Sequence, residues 1–116
     1  MSARLAHCAF GAVFAISLLV LFTPESGVPS APPGTDKLVH LVLFAALAIS
    51  GFRIPQIPLL IGLICYAGLS EVVQGLLPLG RSGDVLDALV DVLGVVAGFA
   101  FTAAVRTVRR GRRTTG

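Results

Sequence analysis

The stretch VLDALVDVLGVVAGFAFTAAV, residues 85–105, runs unbroken with Asp87 and Asp91 as its only charged members, and RTVRRGRR, residues 106–113, follows at once. A run of this length matches the roughly 20 apolar residues that an α-helix needs to cross a hydrocarbon core. A block of arginine just beyond such a run acts as a topology signal facing anionic head groups. The stretch therefore reads as a transmembrane helix followed by a basic tail over 106–116.

Three further apolar runs lie upstream. Residues 5–22 are apolar throughout and stop at Thr23-Pro24. A charged residue, Arg4, ahead of an apolar core imitates a signal peptide. The core is long, however, and Ala31-Pro32-Pro33 makes a poor cleavage junction, so the run is expected to remain as a span. Residues 38–53 form the second and shortest run, which must recruit His40 and its flanks to cross. Residues 56–77 form the third, stopped by Pro78; Pro55 and Pro58 sit at its opening turn, where a missing N–H costs no helix bond.

Composition agrees. The chain has 116 residues, room for a single domain, with 55% apolar and only 13% charged residues, against about 25% charged in soluble domains. Its mean hydropathy is +0.91. So small a chain cannot bury that much apolar surface, and lipid must serve as its solvent. A net charge of +3 could suggest nucleic acid, but five of the nine Lys/Arg fall after residue 105, against a hydrophobic span. No nucleic-acid partner is expected. Cys8 and Cys65 fall inside apolar runs and read as inert packing residues. No zinc-type spacing or cofactor fingerprint is present, so neither a metal nor a cofactor is expected.

An even number of spans puts both ends on one side. Arg4, Arg53, Arg106, Arg109, Arg110, Arg112 and Arg113 then share that side, and only Lys37 and Arg81 lie opposite. The positive-inside rule makes the richer side cytoplasmic. The expected fold is an all-α, four-helix transmembrane bundle in the plasma membrane, with both termini in the cytoplasm and a Pro-rich external loop.

The acidic residues carry the functional signal. Glu25, Asp36, Glu71, Asp84, Asp87 and Asp91 all fall in external loops or the outer halves of helices. Asp36 and His40 share one helix face, as do Glu71 and Gln74. Asp84, Asp87 and Asp91 form a stripe that Gly94 and Gly98 continue, so the acidic face is also one where another helix can approach closely. At about 1.5 Å per residue, Glu71 and Asp91 each lie roughly 9 Å below the outer end of their helices, and His40 about 5 Å. The helices can thus gather Asp36, Lys37, His40, Glu71, Gln74, Arg81, Asp84, Asp87 and Asp91 around one outward-facing pocket. Carboxylates within a membrane mark functional sites by default. The structural alternative is that Lys37 and Arg81 pair with Asp84, Asp87 or Glu71 and merely lock the helix ends. Tyr66 and the phenylalanines read as core or lipid-facing, and the arginines of 106–113 as a solvated anchor.

The pattern Asp36-Lys37-x-x-His40, Glu71-x-x-Gln74, Arg81-Ser-Gly-Asp84-x-x-Asp87 and Gly94 resembles the VanZ-like family across the second, third and fourth runs. The resemblance implies a small bacterial membrane protein with a cell-envelope role, the family being named for a protein associated with teicoplanin resistance. It carries the family's polar positions onto Asp36, Lys37, His40, Glu71, Gln74, Arg81, Asp84 and Asp87. Asp91 departs from the pattern, standing where the family usually has Asn.

Three functional classes follow, in order. The first is a binding or accessory protein whose pocket engages a lipid-linked envelope precursor or anionic head group, with Lys37 and Arg81 on phosphate. The second is an intramembrane enzyme, with His40, oriented by Asp36, as base, Glu71 or Asp87 as acid and Arg81 stabilising an anion. Its metal-assisted version would use His40, Glu71, Asp87 and Asp91. No nucleophile motif accompanies these residues, and the balance leans away from an enzyme. The third is a small proton-coupled transporter, disfavoured because the inner halves of the helices carry few polar residues.

Overall fold

The computed structural model describes residues 2–22, 35–76 and 85–115, the side chains of Asp36, Thr114 and Thr115 excepted. The described residues form four helices: α1 (Ala3–Phe22), α2 (Thr35–Ser50), α3 (Gln56–Leu76) and α4 (Val85–Thr115). Glu25, Arg81 and Asp84 lie outside the described residues.

The boundaries follow from local chemistry. Ser2 caps α1, its Oγ accepting from the Leu5 N–H at 3.2 Å while its carbonyl accepts from Ala6 at 2.9 Å. Between α2 and α3 the chain turns in five residues, 51–55. The Gly51 N–H still reaches Leu47 O at 3.1 Å, and the Ile54 N–H closes onto Gly51 O at 2.9 Å. Pro55 precedes the first residue of α3 and offers its carbonyl to the Leu59 N–H at 3.1 Å, while Pro58 occupies the first turn, where its ring removes no hydrogen bond. Gln56 turns its side chain back to Ile54 O at 2.9 Å. Nothing in 106–115 breaks α4, because arginine is a good helix former. The stretch expected as a separate tail is therefore the last part of a 31-residue helix.

Side-chain contacts give the helix directions. Gln74, near the end of α3, donates to the carbonyl of Leu21, near the end of α1, so these two helices run parallel. Lys37 and Asp87 meet near the starts of α2 and α4, and Arg106 Nη2 donates to Phe52 O at 2.6 Å further along both. α2 and α4 therefore also run parallel, opposite to the other pair. Their interface is the most extensive of the fold.

Glycine makes that interface close. A Cβ on Gly98 would lie 2.6 Å from Ala48 Cβ and 2.7 Å from Ala45 O, and one on Gly94 would overlap Leu41 O. The small-residue stripe thus faces α2 within the chain. Leu43, Phe44, Leu47, Ala48, Leu59, Leu63, Ala67 and Val95 fill the core.

The outer surface is apolar. Leu19 is 71% exposed, Ile57 68% and Leu69 63%, while His40, Glu71, Gln74, Asp87 and Asp91 are buried. This inversion of the usual arrangement suits a lipid solvent. α1, α3 and α4 are long and apolar enough to cross a membrane, as expected of a multi-pass membrane protein. α2, with 16 residues, rises only about 24 Å, short of the roughly 30 Å hydrocarbon core. Cys8 and Cys65 are free thiols on this outer surface, not packing residues, because each falls on the outward side of its helix.

Candidate functional site

The site forms where the starts of α2 and α4 meet the end of α3. His40 lies five residues into α2 from Thr35, Glu71 five residues before the end of α3 at Leu76, and Asp91 six residues into α4 from Val85. Those intervals correspond to about 7.5, 7.5 and 9 Å of helical rise. His40 sits deeper than its expected 5 Å because α2 begins at Thr35, ahead of the apolar run.

At that common level the three side chains converge. His40 Nδ1 lies 2.7 Å from Asp91 Oδ1 and 3.9 Å from Glu71 Oε1. One donor atom from each residue falls within 4.8 Å of the others, and all three residues are buried. An ionised Asp91 requires the proton on His40 Nδ1, which then donates a short charge-assisted hydrogen bond. Asp91 thereby holds the imidazole at Nδ1. The sequence alone points to Asp36 for that orienting role, and the Asp36 side chain lies outside those described. Glu71 Oε1 and Asp91 Oδ2 are buried and accept no hydrogen bond, though both residues are engaged through further contacts.

Around this trio the remaining polar residues divide. Asp87, one turn before Asp91 on α4, pairs with Lys37 at 2.8 Å in a partly exposed ion pair. That contact is the helix-locking interaction the structural alternative anticipated, and it occupies Asp87 outside the trio. Gln74, one turn beyond Glu71, is buried and ties α3 to the Leu21 carbonyl. Arg81 and Asp84, expected in the pocket, lie outside the described residues.

Further polar contacts have no counterpart among the sequence expectations. Tyr66, read as core or lipid-facing, shares a 2.8 Å hydrogen bond with the Ser17 hydroxyl, which also donates to Phe14 O at 2.6 Å. The Tyr66 ring packs against Phe14 and Phe44, with centroids 5.2 and 5.5 Å away. Arg106, read as a solvated anchor, satisfies a carbonyl of the α2–α3 turn. Ser17 within an apolar run and the chain's single tyrosine are the available signals; nothing local marks Arg106 apart from its neighbours.

Comparison of the chain with protein-family models, curated proteins and solved structures finds no match.

Proposed function

We propose that the chain is a VanZ-like plasma-membrane protein of the cell envelope. All four helices span the bilayer, both termini are cytoplasmic, and the polar pocket opens outward. On this reading α2 completes its crossing with its polar first turn in the head-group region, where Lys37 can snorkel. The pocket engages an anionic envelope component, a lipid-linked precursor or a lipid head group, and nucleic acid has no part. The carrying observation is the convergence of His40, Glu71 and Asp91 at one end of an apolar bundle. Burying ionisable groups there costs several kcal/mol unless they are compensated, a cost that function would explain.

Glycopeptide susceptibility tests the envelope role. A deletion strain complemented with wild type is expected to regain teicoplanin tolerance, and one complemented with Glu71→Ala at equal membrane abundance is not. Failure of the wild type to change teicoplanin or vancomycin tolerance would remove the resistance role. Equal rescue by the variant would show that the cluster is structural.

A second reading, an intramembrane acid–base enzyme, has the 2.7 Å His40–Asp91 contact and neighbouring Glu71 in its favour. A base oriented by one carboxylate beside a second is an acid–base arrangement. A pH optimum of the complemented phenotype, abolished by His40→Gln, would support it.

A further inference from the structure

We infer that His40, Glu71 and Asp91 form a binding site for a divalent transition-metal ion. The three residues offer one imidazole nitrogen and two carboxylate oxygens from three different helices, with donor atoms within 4.8 Å of one another. Zinc-type ions take such donors at about 2.0–2.2 Å, which spaces tetrahedral ligands roughly 3.4 Å apart. The observed separations, 2.7 Å from His40 to Asp91 and 3.9 Å from His40 to Glu71, lie on either side of that spacing.

The donor chemistry narrows the ion. Imidazole with carboxylates suits Zn²⁺ or Mn²⁺; thiolates or thioethers would be needed for Cu⁺, and six or more oxygens for Ca²⁺. Charge points the same way. Two ionised carboxylates and a neutral imidazole carry −2, equal and opposite to the charge of a divalent ion. On binding, the Nδ1 lone pair becomes a ligand and the proton held between His40 and Asp91 moves to the imidazole Nε2, which keeps the ring neutral.

Close packing and polar contacts surround the trio. Gly94 and Gly98 hold α4 directly against α2, which sets the separation of the His40 and Asp91 backbones. Gln74 ties α3 to α1 one turn from Glu71. Lys37 is held at Asp87, a turn away from the trio on α4. Three protein ligands leave at least one position of a tetrahedral ion open to an external oxygen. Ion binding needs only the trio; the role of that open position, receiving an anionic head group, rests on the function proposed above.

Full-length protein in detergent, stripped with chelator and titrated with Zn²⁺ alone, tests the site. Wild type is expected to bind a single ion per chain, with a rise in melting temperature. Glu71→Gln and Asp91→Asn should each weaken binding at least about tenfold, while Thr102→Val, distant on α4, should not. Co²⁺ in place of zinc should give wild type a low-symmetry ligand-field spectrum that both carboxylate variants lose. Size exclusion and circular dichroism identify the folded variants; should Asp91→Asn misfold, Glu71→Gln carries the test. Folded wild type without stoichiometric binding, or a folded Glu71→Gln that binds as wild type does, would overturn the site. No envelope component enters the titration. A protein that binds zinc but confers no envelope phenotype would therefore fail only the earlier reading, and one with the phenotype but no zinc only this one.

Discussion

His40 on α2 and Asp91 on α4 meet at 2.7 Å with the histidine 1% exposed and the aspartate fully buried. Two ionisable groups are thus joined inside the most extensive helix interface among the described residues. Deleting either leaves the other buried without the contact it was placed to make.

A double-mutant cycle measures this coupling. His40→Gln and Asp91→Asn should each destabilise the protein, and the pair should show a coupling energy of about 1–2 kcal/mol, the upper range for polar contacts between membrane helices. Unfolding by denaturing detergent against a mild-micelle background gives the values. Strictly additive effects would mean that the contact is incidental.

Glycines on different faces of the helices should respond oppositely to the same substitution. Gly98→Ala places a methyl 2.6 Å from Ala48 Cβ and 2.7 Å from Ala45 O, so α2 and α4 must separate. A loss of about 1–3 kcal/mol is expected. Gly62→Ala and Gly68→Ala meet nothing within 4 Å, and each should be neutral or stabilise by up to about 1 kcal/mol through helix propensity. Thermal unfolding of the three variants decides whether the close packing is real.

Tyr66→Phe removes one hydroxyl and keeps the ring between Phe14 and Phe44. It should cost about 0.5–1.5 kcal/mol through the lost Ser17 hydrogen bond, and Ser17→Ala should add little on top. If the two variants prove independent, the α1–α3 hydrogen bond contributes nothing to stability.

The Lys37–Asp87 pair should matter less. With Lys37 37% exposed at its side chain, Lys37→Met is expected to change stability by no more than about 1 kcal/mol. A larger loss, read in the same unfolding assay, would mean that lipid shields the pair more than its exposure implies.

Sidedness can be read directly. A fluorescent protein fused after Gly116 should fold and fluoresce, as it does only in the cytoplasm, whereas a periplasmic phosphatase fused there should be inactive. The reverse pattern would invert the proposed orientation and turn the polar pocket inward.

The sequence by itself determined the helices, because their signals are local. Apolar runs interrupted by Pro and Arg placed α3 within one residue and the others within a few at their apolar ends, such as Thr35–Ser50 where 38–53 was expected. The exception is the continuation of α4 through 106–115, because charge ends an apolar run without ending a helix, and arginine favours helix. Depth was legible too, since a fixed rise per residue brings His40, Glu71 and Asp91 to one level. Which atoms meet at that level was decided only by the tertiary structure. The rotation of one helix against another depends on how Gly94 and Gly98 seat on Leu41, Ala45 and Ala48. That seating directs Asp91 at His40 and Asp87 at Lys37, a choice between two acids on the same stripe that spacing along one helix could not make. Helical rise and period are properties of a single segment; azimuth is a property of the packed pair.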